Sequence, residues 1–338
     1  MKKIAIIGAG SCGTALAIAL GRSREPHRIS LWVHGADVLA ALRGCRENSI
    51  YLPGMRIPDD TAVTGDLGEA LAGAEIVLGA MPSVHARAIY TAMLAHFGAS
   101  GAKHPIFVSA TKGLEHDSLA RMTEVIAEVM GRKFAPRVAA LSGPSFALEV
   151  ARGDPTAVVI AARDLQLAAE IQHEFSGTTL RLYTNDDIVG VELGGAVKNV
   201  IALAAGVCAG LGLGTNTIAA LITRGLSEMT RLAVALGGRR DTLAGLAGLG
   251  DLVLTATGTL SRNRSVGLEL GKGRKLEEIL SKMRMVAEGV GTTSATLALA
   301  RKHNVDMPIT EQMYNVLQEG QSPSAAIREL MERRLTKE

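Results

Sequence analysis

Residues 3–20 read K-I-A-I-I-G-A-G-S-C-G-T-A-L-A-I-A-L. A short apolar run, residues 3–7, ends where Gly8-x-Gly10-x-x-Gly13 begins, and residues 14–20 continue in a helical pattern. The order is strand, glycine turn, helix. Gly8 permits a tight turn, Gly10 lets the backbone approach a pyrophosphate, and Gly13 lets helix and strand pack closely. The helix N-terminus then offers its N–H groups and positive dipole to the phosphates. An ordinary strand–helix turn is the plainer reading of one such motif, but its position straight after an apolar strand favours a dinucleotide site. Lys2-Lys3 ahead of the run gives it the outline of a secretory signal. The glycine spacing explains it better. Cys12, Cys45 and Cys208 are too few and too scattered for a disulfide framework or a zinc site. A cytoplasmic protein without a metal is expected.

Outward from the turn, strands and helices alternate. Residues 28–33 (R-I-S-L-W-V) form the second strand. Its end is where NAD-selective folds place an acid on the ribose. Here Val33 and His34 stand there, with Asp37 later. No carboxylate repels a 2′-phosphate, so NADPH is expected to be accepted beside NADH. Further strands are expected over residues 62–64, 75–80, 105–109, 138–141, 156–161 and 180–183, with helices over 67–72, 84–96, 119–130 and 165–175. The pattern predicts a parallel, doubly wound α/β sheet of the Rossmann-like type. Lys112 follows the 105–109 strand, and Ser142-Gly143-Pro144-Ser145-Phe146-Ala147 follows the next. Both fall at strand carboxyl ends, where such sheets bind ligands.

After Asp186 the strands stop, and the rest reads as helices. Residues 1–186 are expected to bind the dinucleotide, and residues 187–338 to form an all-helical substrate-binding and catalytic domain. The helical part opens D-D-I-V-G-V-E-L-G-G-A-V-K-N-V-I-A-L-A-A-G-V-C-A-G-L-G-L, residues 186–213. Glu192, Lys198 and Asn199 interrupt the apolar run, leaving less than the ~20 residues a membrane span needs. No integral membrane segment is expected. On a helix Lys198 shares a face with Gly194, Gly195, Ile201, Ala202 and Ala205. That low-walled face is expected to admit another molecule. A lysine there loses water, its pKa falls, and it can exchange protons near neutral pH. A core lysine snorkelling outward is the rival.

Two further groups stand out. Gly248-Leu249-Gly250-Asp251 leads into a helix that puts Asp251 and Thr255 on one face. Ser261-Arg262-Asn263-Arg264 opens the next helix, where hydroxyl, guanidinium and amide make a phosphate pocket. A simple N-cap with solvated arginines is the alternative. Val286-Ala287-Glu288-Gly289 says little alone. The chain has 338 residues, 47% hydrophobic and 20% charged, with a formal charge of +3. A large core is expected. Neither a basic tract nor stacking aromatics for nucleic acid are present.

In this order and at these spacings, G-A-G-S-C-G-T-A-L-A, A-T-K-G, S-G-P-S-F-A, A-V-K-N, G-L-G-D, S-R-N-R and V-A-E-G resemble the bacterial NAD(P)-dependent glycerol-3-phosphate dehydrogenases, across essentially the whole chain. The resemblance implies reduction of dihydroxyacetone phosphate to sn-glycerol 3-phosphate for phospholipid synthesis. It makes Lys198 the proton donor and acceptor and puts Lys112 near both cofactor and substrate. Implied substrate contacts are Gly143, Ser145, Asp251, Ser261, Arg262 and Asn263. Implied cofactor contacts are Ser11, Cys12, His34, Lys112, Ala147, Arg262, Val286 and Glu288. Cys12 departs from the family, which commonly carries an aromatic there. Asn199, beside Lys198, would help hold the substrate, and Asp251 would balance the lysine's pKa. A related dehydrogenase of another small keto substrate, or a non-catalytic NADPH sensor, are the competing readings. A homodimer of the Ala/Gly-rich helical half is compatible with the sequence.

Overall fold

A computed structural model of the chain describes residues 1–98, 104–283 and 286–334. The first part alternates β1 (Lys2–Ile7), α1 (Ser11–Leu20), β2 (His27–Trp32), α2 (Ala36–Cys45), β3 (Ala62–Thr64), α3 (Leu67–Leu71), β4 (Ile76–Gly79) and α4 (Ser83–Met93). It continues with β5 (Ile106–Ser109), α5 (Met122–Gly131), β6 (Arg137–Ser142), α6 (Ala147–Arg152), β7 (Thr156–Ala161), α7 (Leu165–Phe175) and β8 (Leu180–Asn185). Helices follow: α8 (Ile188–Gly210), α9 (Thr215–Ala235), α10 (Arg240–Ala244), α11 (Asp251–Thr257), α12 (Arg262–Gly271), α13 (Leu276–Ser281), α14 (Glu288–Lys302), α15 (Pro308–Gln318) and α16 (Pro323–Glu332).

The strands form one sheet in the order β3-β2-β1-β4-β5-β6-β7-β8. β4 and β5 are buried along their whole length, as strands covered on both faces must be. All neighbours pair parallel except β6 and β7, which are antiparallel. The expectation of a parallel sheet therefore fails at one junction, between β6 and β7. A parallel return needs a crossover of about a dozen or more residues with a helix that spans the sheet. The six-residue α6 is too short, and Gly153 at its C-cap takes φ 94° and turns the chain back. The sequence reading had no helix at α2, α6 or α10. It also began α5 early: Leu119 sits at φ 61°, and the Glu124 carboxylate fixes the helix start by accepting from the Arg121 N–H at 2.9 Å.

α8 is the axis of the helical part, buried along nearly its whole length. It is long and apolar enough to cross a membrane, but 89% of its most apolar window lies inside the protein. α9, α11, α12 and α14 surround it. α12 runs parallel to it in register. Asn199 bonds Asn263, a Cβ on Gly267 would lie 2.0 Å from the Leu203 carbonyl oxygen, and one on Gly271 would lie 2.4 Å from that of Val207. Backbones this close tolerate only glycine, so the first turn of α12 is set beside the Lys198 turn. Glu192 ties α8 back to the sheet layer. Its carboxylate, buried, accepts from the Thr123 N–H at 2.8 Å and hydroxyl at 2.5 Å, and pairs with Arg121 at 2.7 Å. Burial pushes this carboxyl up, and Arg121 opposes the rise.

Candidate active site

The glycine turn has the shape its spacing implies. Gly8 takes φ 112°, and a Cβ there would meet the Ala80 carbonyl oxygen at 2.9 Å. One on Gly13 would lie 1.8 Å from the Gly8 oxygen, while one on Gly10 would meet nothing within 4 Å. Two glycines are thus locked by close packing, and the third opens a bare stretch of backbone. α1 has no side-chain cap and no acid in its first turn, so its leading N–H groups, at Ser11 and Cys12, carry an uncompensated positive dipole. These features fit a dinucleotide pyrophosphate. Cys12 faces inward, and burial pushes its thiol pKa up, which leaves it protonated.

The carboxyl ends of β5 and β6 meet α8 and α11 beside this turn. There Asp251, the first residue of α11, is wholly buried. One of its oxygens receives the Lys198 ammonium at 2.5 Å, the other the Lys112 ammonium at 2.7 Å. Lys198 also donates to the Thr255 hydroxyl at 2.7 Å, and that hydroxyl donates to the Asp251 carbonyl at 2.7 Å. Lys198 thus has two donors spent and one left. Burial lowers its pKa, Asp251 raises it, and Lys112 lowers it again; the balance is about 7. Lys198 is 5% exposed, so the snorkelling rival does not hold.

One expectation about this face needs correction. At Gly194, Gly195 and Gly225 the space is filled by the protein's own chain and not left for another molecule. A Cβ on Gly194 would lie 2.4 Å from the Ala247 oxygen, one on Gly195 would lie 2.5 Å from the Ser142 hydroxyl, and Gly225 packs on Ile201. The space admits the protein's own backbone, which brings Asp251 and the sheet edge to the lysine.

Around this core, Lys112 donates to the Gly143 carbonyl at 2.8 Å and approaches the Ser145 hydroxyl at 3.4 Å. Gly143 takes φ 133°, with Val158 where a side chain would go. Asn199 reaches the Lys112 carbonyl at 3.4 Å and accepts from Asn263, whose own oxygen accepts from the Gly289 N–H. Ser261 caps α12 through the Arg264 N–H, so its hydroxyl serves the N-cap at the least. Arg262 is exposed and has no ion pair among the described residues, yet it lies close enough to act electrostatically on Glu288 and Cys12. Glu288 is bound by the Ser83 N–H at 3.1 Å and hydroxyl at 2.7 Å, and burial raises its pKa. Val286 is exposed beside it, and Ala147 begins α6. His34 is exposed at the end of β2, its ring 5.7 Å from that of Trp32. The turn, both lysines, Asp251, Gly143, Ser145, Asn199 and Asn263 are thus brought together. Ser142, Arg121, Thr123 and the anchoring role of Glu192 were missed, since a serine or a salt-bridge pair carries no spacing signal of its own.

The fold and this constellation define an oxidoreductase that works with a nicotinamide dinucleotide, with a buried lysine of near-neutral pKa at the sheet edge. Two family models match the chain: NAD-dependent glycerol-3-phosphate dehydrogenase N-terminus over residues 3–168 and C-terminus over residues 187–328. A relative in Koribacter versatilis named glycerol-3-phosphate dehydrogenase [NAD(P)+] is 58% identical, covering 100% of this chain and 99% of its own. One of the same name in Acidobacterium capsulatum is 54% identical over 98% of each. The crystal structure of glycerol-3-phosphate dehydrogenase from Coxiella burnetii superposes with a TM-score of 0.92 at 41% identity, covering 98% of this chain and 99% of that one. The chain belongs to the NAD-dependent glycerol-3-phosphate dehydrogenase family.

Proposed function

We propose that Lys198 is the proton donor with which this chain reduces dihydroxyacetone phosphate to sn-glycerol 3-phosphate, using NADH or NADPH. The reaction and cofactors are those of the family. One observation carries the lysine's role: two ammonium groups share the two oxygens of one fully buried carboxylate. The bound nicotinamide supplies the hydride to the ketone carbon. Negative charge then grows on the carbonyl oxygen, and Lys198 meets it with its remaining N–H and passes the proton across. In reverse, neutral Lys198 takes the proton from the hydroxyl. Asp251 and Thr255 hold the ammonium in one orientation, so little reorganisation is needed as charge develops. Lys112 and Asn199 assist at the oxyanion and hydroxyls.

Gly8, Gly10, Ser11, Cys12 and Gly13, at the N-terminus of α1, would hold the cofactor pyrophosphate, and His34, Ala147, Val286 and Glu288 would hold the rest of the molecule. Arg262, with Ser261, Asn263, Gly143 and Ser145, receives the substrate. Residues 1–186 act as the dinucleotide-binding domain and residues 187–338 as the substrate-binding and catalytic domain. This reading places the chain in the cytoplasm, where its three free cysteines fit a reducing compartment. It also allows a homodimer, supported by the exposed apolar side chains of Leu249, Val253 and Leu260.

The test is Arg262→Gln. Removing a charge-assisted bond to phosphate raises KM for dihydroxyacetone phosphate by about 10- to 100-fold and changes kcat little. Steady-state kinetics with NADPH in excess checks this. An unchanged KM would move the phosphate elsewhere.

A further inference from the structure

We infer that Ser83 is a positioning residue for the cofactor: through its N–H and its hydroxyl it holds the Glu288 carboxylate, carried on the helical half, at the sheet crevice that takes the dinucleotide. The inference rests on the reading above in which Glu288 contacts the cofactor.

The crevice follows from the topology. β1 and β4 are neighbours, yet the chain leaves β1 towards β2 and β3 and leaves β4 towards β5 and β6. Sheets of this kind bind ligands where the direction reverses, outside the carboxyl ends of the strands. The N-termini of α1 and α4 flank that point. The turn before α4 packs on the glycine turn, since a Cβ on Gly8 would meet the Ala80 oxygen at 2.9 Å and the Met81 nitrogen at 3.1 Å. Ser83 is the first residue of α4 and is 4% exposed.

α4 has no side-chain cap of its own and no acid in its first turn. The acid comes from α14 instead. The Ser83 N–H donates to one Glu288 oxygen at 3.1 Å, and its hydroxyl donates to the other at 2.7 Å. A carboxylate is stabilised at that positive helix end. The pair is fixed from two further sides. A Cβ on Gly113, in the loop after β5, would lie 2.6 Å from the Ser83 hydroxyl oxygen and 3.1 Å from the Glu288 carboxylate. The next residue, Gly289, donates its N–H to the Asn263 side chain at 3.0 Å, which ties the start of α14 to α12. Burial raises the Glu288 pKa, while the Ser83 bonds, Arg262 of α12 and His85 of α4 oppose the rise and favour the charged form. Each Glu288 oxygen keeps a lone pair for a donor on the cofactor. With α4 met by Glu288, the uncapped α1 is left to take the pyrophosphate.

A double-mutant cycle separates positioning from a merely structural hydroxyl. NADPH dissociation constants are measured by fluorescence titration for wild type, Ser83→Ala, Glu288→Ala and the double variant, with steady-state kinetics on each. Ser83→Ala is expected to weaken NADPH roughly 3- to 30-fold, the loss of one hydrogen bond to a charged group. It raises KM for NADPH by a similar factor and changes kcat little. In the Glu288→Ala background the same substitution has a smaller effect, because the group it positions is gone. The same factor in both backgrounds, or unchanged affinity in Ser83→Ala, would overturn the inference. Should Glu288→Ala not fold, Glu288→Gln replaces it on the same criteria. Glu288→Ala that binds NADPH as wild type does would overturn both the inference and the cofactor role of Glu288. Weakening by Glu288→Ala without weakening by Ser83→Ala would leave that role standing and remove Ser83 alone.

Discussion

Lys198→Met lowers the rate of ketone reduction by about 10²- to 10⁴-fold, the range for loss of a general acid. NADPH binding, followed by the cofactor's fluorescence, stays close to wild type. The methionine fills much the same volume, so the loss reports on the ammonium. The wild-type pH profile carries the same signature. Lys198 titrates at about 7, drawn down first by burial and held there by Asp251. Reduction needs the protonated form, so its rate falls as pH rises through about 7. Oxidation of glycerol 3-phosphate needs the neutral form and gains over the same interval. In Lys198→Met both dependences vanish. A variant within a few-fold of wild type, with its pH dependence intact, would assign the proton to another group.

Asp251→Asn has the second large effect, on stability as well as rate. Asp251 is 0% exposed and compensates Lys198 and Lys112 together. Asparagine keeps the shape but removes the charge, and its NH2 faces an ammonium. Breaking a buried ion pair from one side costs about 3–5 kcal/mol. Denaturant unfolding of the variant should show a loss of that order. In whatever fraction stays folded, burial and Lys112 both still lower the Lys198 pKa, and the carboxylate that raised it is gone. The pH above which reduction fails therefore moves to the acid side, and activity at neutral pH falls. Wild-type stability with an unmoved pH profile would refute the shared-carboxylate account.

Much of this was legible in the sequence because backbone geometry forces it. Gly8 and Gly13 have no room for a side chain, and a strand-turn-helix with that spacing announces itself. Lys198 was legible as a cation stranded in an apolar helix. Its partner was harder, since Asp251 lies 53 positions away and only packing joins them. The glycines beside Lys198 were misread for the same reason: small residues signal close approach, not what approaches, and here it is the Ala247 backbone and Ser142. The antiparallel β6–β7 pair was missed because an apolar strand reads alike in both directions, and only the shortness of α6 decides. Asn263 was read as a phosphate contact, yet one of its N–H groups and its oxygen also fasten α12 to α8 and α14, a use no motif discloses.

The account turns on a phosphorylated ketone reduced beside Lys198. The most direct measurement is initial-rate oxidation of NADPH and of NADH by purified protein at neutral pH, with dihydroxyacetone phosphate and, separately, with dihydroxyacetone. The account predicts turnover with the phosphate ester on both cofactors and little without the phosphate. Equal turnover of the two ketones, or none with the phosphate ester while NADPH still binds, would contradict it.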